Sequence, residues 1–418
     1  MKLRRETEFQ ETEIGKIPRD WKVVRLKDVA EIRGSRKITQ GSDTLIFIPM
    51  EAIPDDGVYA GFELRNASEV KSYVYCEPGD ILLAKITPSF ENGKQGIVPE
   101  EIPGKFALAT TEVYPIRCKS INKFFLFYLL KYPPLRNKLA SLMRGTTGRR
   151  RVPREALEDQ LIPCPPLKEQ ENIGKILLTI QNLKESMRDA IVKLERLKRG
   201  LMGELLTGRI RVREENGRLS FYRETEFQET EIGKIPRDWR VAKLGELIEM
   251  NHGERPEVIL QEGDVPIYGG GGLYGFTNTY LVDKPYVLIL ARVGSVGKVY
   301  LARGRVWVTD NAIYGYSKDP NGITTVYAYY WLLFDRTWIE KYARRSVHAI
   351  ITLNSLNNLK LPLPPLNEQK GITKILSIID KAVELHYKEK ERLERLKRGL
   401  MDLLLTGKVR VVDGDVGS

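Results

Sequence analysis

The sequence predicts an α+β protein in which two globular domains are joined by two long helices that form an antiparallel coiled coil, with a pseudo-twofold internal repeat. Three observations lead to this fold class. At 418 residues the chain is too long for one ordinary core, and its hydrophobic content of 42% indicates folded domains. One sequence motif near the start of each half and another near its end both occur twice in the chain. We call them the opening and closing motifs, and each closing motif begins a heptad pattern.

The opening motif is a run of seventeen residues that recurs without a change. Residues 5–21 read RETEFQETEIGKIPRDW and return at 223–239. The closing motif PPLKEQ at Pro165 returns as PPLNEQ at Pro364, and LERLKRGLM and LLTG follow in both copies. The middles, about 33–160 and 251–360, share little. We therefore expect the ends to perform one task twice and the middles to perform two different tasks. A patchy exchange between gene copies is the alternative explanation.

Each closing motif begins a predicted helix of about 40 residues, ~60 Å long at ~1.5 Å per residue. Apolar residues recur every seventh position and again three places later, which predicts a coiled-coil seam. The predicted seam residues are Ile173, Ile176, Ile180, Leu183, Met187, Leu194, Leu197 and Leu201, followed by Ile372, Ile375, Ile379, Leu393, Leu396 and Leu400. His386 and Glu389 interrupt the second seam, and we interpret His386 as a register-setting residue rather than a metal ligand.

These patterns divide the chain into six parts. The first head is expected at 1–165, a central coiled-coil helix at 166–208 and a linker at 209–222. The second head follows at 223–364, a C-terminal coiled-coil helix at 365–408 and a tail at 409–418.

Both heads contain a short apolar run that predicts a buried strand with a cation at its end. DILLAKI (80–86) and VLILARV (287–293) place Lys85 and Arg292 before a turn that contains Thr87 or Ser295. A cation at a rigid strand end suits a phosphate or base-edge contact. A solvated surface charge is the alternative for both residues.

The densest cationic loop of the chain is RGTTGRRR at 144–151. Its arginines and threonines are candidate DNA contacts, because guanidinium groups bind phosphates and guanine edges through two hydrogen bonds. The candidates are Arg144, Thr146, Thr147, Arg149, Arg150 and Arg151, with Arg344, Arg345 and Ser346 as the less charged counterpart in the second head. A solvated loop is the alternative.

A glycine-rich run, YGGGGLYGF at 268–276, could follow a phosphate strand through Gly270 and Tyr274. No helix-opening fingerprint follows it, so it is not a nucleotide site of the GxGxxG kind. A flexible hairpin is the alternative interpretation.

Composition restricts the classes of protein further. The 67 Lys+Arg against 55 Asp+Glu give a charge of +12, which suits a polyanionic partner. MKLRRETEF has no apolar region typical of a signal peptide, and no run of 18 apolar residues predicts a membrane span. Cys76, Cys118 and Cys164 are far apart and odd in number, so we expect a reducing cytoplasm, no disulfide framework and no structural zinc.

Motifs for catalysis are missing from the sequence. It contains no GxxxxGK[ST] loop and no Pro-Pro-aromatic motif of the methyltransferase kind, so we expect no active site and no cofactor. A nuclease is the best enzymatic alternative, because Pro54-Asp55 and Glu69-Val70-Lys71 loosely match a magnesium site. A pure scaffold whose heads bind protein is the third possibility.

The chain resembles the specificity subunit of type I restriction-modification systems. The resemblance rests on the repeat, the two IGKIPRDW openings, the PPLKEQ and PPLNEQ helix starts and the LLTG helix ends taken together. The resemblance covers nearly the whole chain. It extends to YGGGGLYGF and to Ala291-Arg292-Val293-Gly294, which are similar to the family's target-recognition domains.

The resemblance implies two target-recognition domains, each of which reads one half of a bipartite site on double-stranded DNA, held apart by the coiled coil. It also implies two modification (methyltransferase) subunits docked on the repeated segments, and restriction (translocase-nuclease) subunits that complete the enzyme. His386, Glu389 and the thin second basic loop depart from a regular pattern, which puts in doubt the regularity of the coiled coil and equal affinity of the two heads for DNA.

Overall fold

The computed structural model describes residues 1–34, 44–146, 148–215, 217–337 and 350–412. The chain is an α+β protein. It forms two compact units, one made of Met1–Asp189 with His386–Ser418 and the other of Ala190–Leu385. Each unit contains one head and a part of both long helices, whereas the predicted division treats the helices as separate parts. Among the described residues, no helix is long and apolar enough to cross a membrane.

The first head is built on two four-stranded sheets. One sheet has the order Gln95–Ile97, Ile81–Ala84, Val113–Cys118 and Ala30–Ile32, and the other has the order Glu63–Asn66, Thr44–Ile48, Ala107–Ala109 and Val74–Cys76. The helices of this head are Leu26–Val29, Lys123–Lys131, Pro133–Ser141 and Arg154–Glu158, with 3₁₀ turns at Met50–Ala52 and Ala67–Glu69. Apolar runs such as Ile81–Ala84 are buried on both faces, which explains why they read as continuous hydrophobic strands.

The second head is built on one six-stranded sheet. Its order is Ile248–His252, Ala312–Ser317, Val282–Ala291, Val299–Val308, Val265–Gly269 and Gly272–Thr277. All neighbours are antiparallel except Val265–Gly269 and Val299–Val308, which are parallel. The helices among the described residues of this head are Leu244–Leu247, Thr325–Phe334 and Leu353–Asn357. The heads therefore differ in sheet architecture, as expected from their dissimilar middles.

The repeated segments fold alike in both units. The opening motif forms a hairpin, Phe9–Thr12 with Gly15–Pro18 and Phe227–Thr230 with Gly233–Pro236. A two-stranded sheet follows, Lys22–Arg25 with Leu161–Cys164 and Arg240–Lys243 with Lys360–Leu363. A last pair joins Ile210–Glu215 to Arg218–Arg223, and its counterpart joins Lys2–Arg5 to Val409–Val412, so the first unit is completed by the two ends of the chain.

The two long helices are Leu167–Leu205 and Leu366–Leu405. Within the first unit they run antiparallel, because partners with higher numbers on one helix have lower numbers on the other. The Lys397 Nζ donates to the Gln181 Oε1 at 2.6 Å, Lys184 pairs with Glu394, and the His386 Nδ1 lies 3.2 Å from the Met187 Sδ.

Three of the fourteen predicted seam residues are misplaced, and all three belong to the second stripe of the seam. Ile173, Ile180, Ile372 and Ile379 are buried, as a seam requires. Three places later, however, Leu183, Leu197 and Leu396 are 46%, 51% and 49% exposed. The second buried stripe lies four places after the first and contains Leu177, Lys184, Ile191, Leu376, Lys397 and Leu404. The apolar pattern favoured leucines, whereas the folded helices bury two lysines.

Those lysines are buried because the first head supplies a partner for them. The Lys184 Nζ lies 2.8 Å from Asp56 and also pairs with Glu394, while the Lys397 Nζ lies 3.6 Å from Asp56 and 5.6 Å from the centre of the Tyr128 ring. Burial raises the pKa of Asp56, but the two ammonium groups outweigh it and hold that pKa below its ordinary value. The Asp56 carboxylate of the first head therefore determines that the helix faces with Lys184 and Lys397 are the buried ones.

The closing motif explains how each long helix is attached to its head. Glu169 and Gln170 of PPLKEQ are both buried. The Gln170 Oε1 accepts from the Asn122 backbone N at 2.8 Å, and the equivalent Gln369 Oε1 accepts from the Thr324 backbone N at 3.0 Å. Asn122 and Thr324 are the N-caps of a buried helix in their respective heads. The glutamine thus connects one helix start to another.

Glu169 and Glu368 each accept from one arginine and one tryptophan of the repeated segments. The Arg410 guanidinium donates twice to Glu169, at 2.8 and 2.7 Å, and the Trp21 Nε1 donates to it at 3.1 Å. In the second unit, Arg211 donates twice to Glu368 at 2.8 Å and the Trp239 Nε1 donates at 3.1 Å. Further acceptors surround both guanidinium groups, namely Glu6 and Asp20 on Arg410, and Glu224 and Asp238 on Arg211.

The LLTG ends need glycine for two reasons. Gly208 and Gly407 have φ of +70° and +71°, the left-handed conformation that ends a helix. A Cβ at either position would also lie 2.4 Å from a Pro236 or Pro18 ring carbon of the opening motif. The motif therefore ends each long helix against the IGKIPRDW hairpin.

Replacing Arg211 with alanine should destabilise the second unit by about 3–5 kcal/mol, because it leaves the Glu368 carboxylate buried without its cation. Arg410→Ala should have the same effect on the first unit. Urea and thermal unfolding would measure both. Arg213→Ala, two residues away and exposed, is the matched control and should change stability by no more than ~0.5 kcal/mol. A loss below ~1 kcal/mol for Arg211→Ala would show that this cluster does not hold the unit together.

Candidate nucleic-acid interface

In the first head, the cationic loop 144–151 folds back on itself. The Arg144 and Arg151 backbones exchange hydrogen bonds of 2.9 and 2.8 Å, and the Arg149 N donates to the Thr146 O at 2.9 Å. Gly145 and Gly148 have φ of +128° and +79°, so the turn depends on glycine. Thr147 lies outside the described residues.

The loop lies against the strand end that carries Lys85. The Thr87 N donates to the Arg150 O at 2.9 Å, and the Val152 N donates to the Lys85 O at 2.9 Å. Two separately predicted sites thus form one surface, which we call the first basic surface. It consists of Lys85, Thr87, Arg144, Thr146, Arg149, Arg150 and Arg151.

Two acidic residues, which no sequence pattern singles out, orient part of this surface. Glu112 accepts two hydrogen bonds from Arg151, at 2.9 and 2.7 Å, and the guanidinium lowers the pKa of that carboxyl. The Glu91 carboxylate accepts from the Thr87 hydroxyl at 2.9 Å and lies 3.6 Å from Arg150.

The remaining cations of the first basic surface are open to solvent or partly buried. Arg144 and Arg149 are exposed and have no ion pair within the described part of the chain. Lys85 lies over the Tyr114 ring at 4.9 Å, and burial lowers its pKa. The free guanidinium groups are therefore the ones best placed to bind phosphate.

The second head places Arg292 at the position equivalent to Lys85. The Arg292 O accepts from the Ile351 N at 3.1 Å, as the Lys85 O accepts from Val152, and the Arg292 N donates to the Asn311 O at 3.1 Å, as the Lys85 N donates to the Glu112 O. Asn311 thus occupies in the second head the place that Glu112 occupies in the first. The sequence aligned the two strands but did not identify these facing residues.

Asn311 also joins Arg292 to the glycine-rich run. Its Oδ1 accepts from the Gly270 N at 2.9 Å and from the Thr309 hydroxyl at 2.5 Å. A Cβ on Gly270 would lie 3.3 Å from the Val293 O and 3.4 Å from the Ala291 Cβ, so glycine permits this close packing. The Arg292 Nη1 donates to the Asp310 O at 3.2 Å, while its buried Nε has no partner within the described chain.

The glycine-rich run is a hairpin with a two-residue turn, Gly270-Gly271, between Val265–Gly269 and Gly272–Thr277. Tyr274 on its second strand is 64% exposed. Beside the hairpin lies a cleft of about 420 Å³ that includes Arg255, Tyr274 and Asn311 in its lining. An exposed aromatic ring, an amide and a cation around one cleft can contact base edges and phosphates.

The other predicted residues of the second head cannot be placed in this cleft. Ser295 lies in the turn after Arg292, where its backbone O accepts from the Lys298 N at 3.1 Å. Arg344, Arg345 and Ser346 lie outside the described residues. Arg255 was not selected from the sequence because a single arginine in a polar loop carries no distinguishing pattern.

The nuclease alternative requires a cluster of carboxylates. Among the described residues, no group of three or more His, Cys, Asp or Glu side chains is arranged to hold a metal ion. The Asp55 main-chain O accepts from the Lys131 Nζ at 2.8 Å.

A family model described as the type I restriction modification DNA specificity domain matches residues 18–196 and again 236–395. Each match runs from the opening motif of one half into its long helix. The matches together cover more than half of the chain.

Similar proteins support the same family, and a solved structure shares the fold. The putative type I restriction enzyme MjaX specificity subunit of Methanocaldococcus jannaschii is 30% identical and aligns with 97% of this chain and 98% of its own length. The MjaVIII specificity subunit of the same organism is 26% identical, with 98% of both chains covered. The fold is similar to the crystal structure of the type I S subunit from M. genitalium, with a TM-score of 0.66, 16% identity, and 92% and 96% of the two chains covered.

Two family-model matches, relatives aligned over nearly their whole length and two heads on a repeated frame lead to one conclusion. The chain belongs to the type I restriction-modification DNA specificity family, whose members are the non-catalytic DNA-recognition components of restriction enzymes.

Proposed function

We propose that each head reads one half of an asymmetric, bipartite site on double-stranded DNA and that the chain uses no cofactor. The observation that carries this proposal is the equivalent placement of Lys85 and Arg292 in unlike heads. Both cations end a buried strand, yet the loops and facing residues around them differ. Two cations at equivalent positions, surrounded by different residues, suit two domains that recognise different DNA sequences.

In the first head, we infer that Arg144, Arg149 and Arg150 mainly bind phosphates. Their guanidinium groups are exposed on a loop whose backbone is held by hydrogen bonds at both ends. Phosphate contacts supply affinity and salt dependence, whereas base contacts supply discrimination of ~1–3 kcal/mol each.

In the second head, we infer that Tyr274, Asn311 and Arg292 contact the DNA around the cleft beside the glycine-rich hairpin. Asn311 has its Oδ1 engaged by Gly270 and Thr309, which fixes the orientation of its amide. A fixed amide whose NH₂ can donate is suited to a base-edge acceptor.

The repeated segments support docking of two methyltransferase subunits, with restriction subunits added to that complex. Identity between the copies extends to exposed residues that no core requires. The Lys16 and Glu11 side chains are 70% and 73% exposed and lie 3.3 Å apart, and Lys234 and Glu229 repeat this pair at 3.3 Å with 72% and 74% exposure. Because the same exposed residues occur in both opening motifs, this surface suits one kind of partner that binds in two copies.

We further propose that the long helices act as a ruler between the half-sites. Antiparallel contacts are present in the first unit between Lys397 and Gln181, and in the second unit the Lys198 Nζ lies 2.5 Å from Asp380. Successive half-sites on one DNA face are ~34–36 Å apart per helical turn.

Arg149→Ala should weaken binding to all duplexes alike and reduce the slope of log K against log salt by about 0.9, since one phosphate contact is lost. Fluorescence anisotropy at several salt concentrations would measure both quantities. Arg117→Ala is the control. Arg117 is exposed and lies at the end of strand Val113–Cys118 that is far from Glu112, so this variant should bind DNA as the unchanged chain does. If the parent chain shows no salt-sensitive DNA binding at all, the chain is a scaffold rather than a reader.

Lys16→Glu should reduce the number of methyltransferase subunits bound per chain from two to one, because it reverses the charge of one repeated surface. Lys234→Glu should do the same, and the double variant should bind none. Native mass spectrometry gives the stoichiometry directly. Arg117→Glu again serves as the control, and two subunits retained by either single variant would contradict docking on this surface.

Adding seven residues to each long helix, after Asp189 and before His386, should lengthen the preferred gap between half-sites without changing the bases read, since a whole heptad preserves the helix face. Random-site selection with the methyltransferase partner present would show the gap. Selection of the original spacing would refute the ruler.

A further inference from the structure

A groove of about 750 Å³ lies in the second unit, between the second head and the beginning of the second long helix. One wall comes from the start of strand Val282–Ala291 and the end of strand Ala312–Ser317. The other wall is one face of the helix Leu366–Leu405. This groove is separate from the cleft beside the glycine-rich hairpin.

The groove is strongly basic. Six cations line it, and no acidic side chain does within the described chain: Lys284, Arg303, Lys318, Lys370, Lys374 and Lys381. Lys374 is paired with Glu214 at 2.7 Å. Lys370 and Lys381 are exposed and have no ion-pair partner among the residues that the structure describes. The groove therefore presents uncompensated positive charge.

Between the cations the groove is apolar. Ile378 is 59% exposed in the middle of the helix face, and Tyr286, Ile323 and Val326 contribute to the opposite wall. Ile323 and Val326 are buried at the floor of the groove, so the accessible apolar surface is Ile378 and part of Tyr286. Accessible apolar side chains surrounded by charge are typical of a protein interaction site. It is poorly suited to a DNA backbone, whose phosphates would satisfy the lysines but leave Ile378 and Tyr286 without apolar contacts.

The helix face gives the length of the groove. Lys370, Lys374, Ile378 and Lys381 follow one another at spacings of four, four and three, so they lie along one side of three helical turns. At ~1.5 Å per residue this face is about 16 Å long. An amphipathic helix of three to four turns would cover it.

The groove is also distant from the proposed DNA contact of the same head. Lys284 and Arg292 lie near opposite ends of the strand Val282–Ala291 and its continuation, which separates them by about 26 Å at ~3.3 Å per residue. A ligand in the groove would therefore not be the base-contacting part of a duplex bound at Arg292.

The first half of the chain lacks this surface. At the positions of the first long helix that correspond to Lys370, Lys374, Ile378 and Lys381 stand Glu171, Lys175, Thr179 and Asn182. One of the three cations remains, one is replaced by an acid and one by asparagine, and the apolar residue is replaced by threonine. A partner of this groove would therefore bind once per chain, unlike a partner of the repeated opening segments.

We propose that this groove binds an acidic, amphipathic helix of a protein partner, in one copy per chain. Carboxylates of the partner would pair with Lys370 and Lys381, and its apolar face would cover Ile378 and Tyr286. Opposite charges at the rim would select such a segment and accelerate its association. The proposal does not depend on whether the heads read DNA.

A labelled synthetic helix of eighteen leucine and glutamate residues, with leucine on one face only, is a suitable probe. Fluorescence anisotropy with the full chain should give saturable binding at one peptide per chain. Lys370→Glu combined with Lys381→Glu should weaken this binding at least tenfold, and Ile378→Asp should also weaken it. A peptide of the same composition in scrambled order, which has no apolar face, should bind at least tenfold more weakly.

Lys175→Glu on the first long helix is the matched control and should leave peptide binding unchanged. Affinity for a random 30-base-pair duplex should change less than twofold in the Lys370→Glu, Lys381→Glu variant, and thermal unfolding at the midpoint of the unchanged chain shows that the variant is folded. Unchanged peptide affinity in this variant, binding of two peptides per chain, or an equal loss of duplex affinity would each overturn the proposal.

Discussion

The buried arginine–glutamate pair, built once in each unit, is the constraint on which the rest of the fold depends. Arg410 with Glu169, and Arg211 with Glu368, connect the end of one repeated segment to the helix start of another. A buried charge that loses its partner is costly, so neither segment can move without the other. In the first unit this pair joins residues 241 positions apart, and the strand after the second long helix completes a domain that begins at the N-terminus.

Around this repeated frame the two heads are free to differ. Both begin at the same hairpin, are closed by the same two-stranded sheet and have a helix cap held by the glutamine of the closing motif. Their sheets are nevertheless different, and the residue that faces the strand-end cation is Glu112 in one head and Asn311 in the other. Because the frame contributes none of these facing residues, a head can change its contacts without disturbing the segments that hold it. This separation suits a family of DNA specificity subunits.

The two halves are also unlike where the heads meet the long helices. Tyr128 and Tyr330 hold equivalent places, with Lys397 and Lys198 over their rings at 5.6 and 5.3 Å. In the second unit the helix itself supplies the acid, because Asp380 pairs with Lys198 and accepts from the Tyr330 hydroxyl at 2.7 Å. In the first unit Gln181 stands in the place of Asp380, and the head supplies Asp56 instead. The basic groove beside the second long helix is a further difference between the halves. The repeated segments therefore support surfaces that occur in one half only.

The sequence by itself determined the duplication, the two long helices, the α+β class and the family, since identical motifs and heptad spacing are local patterns that survive without knowledge of the fold. It also selected Lys85 and the loop 144–151 separately, but only tertiary structure showed that they form one surface, because the hydrogen bond between Thr87 and Arg150 joins residues far apart in the chain. The second stripe of the helices was misplaced for the same reason. Leucine periodicity favours Leu183 and Leu396. Lys184 and Lys397 are buried instead, because Asp56 from a different segment and polar groups of the facing helix lie beside them. Burial of a charge depends on its partner in space, and spacing along the chain does not contain that information.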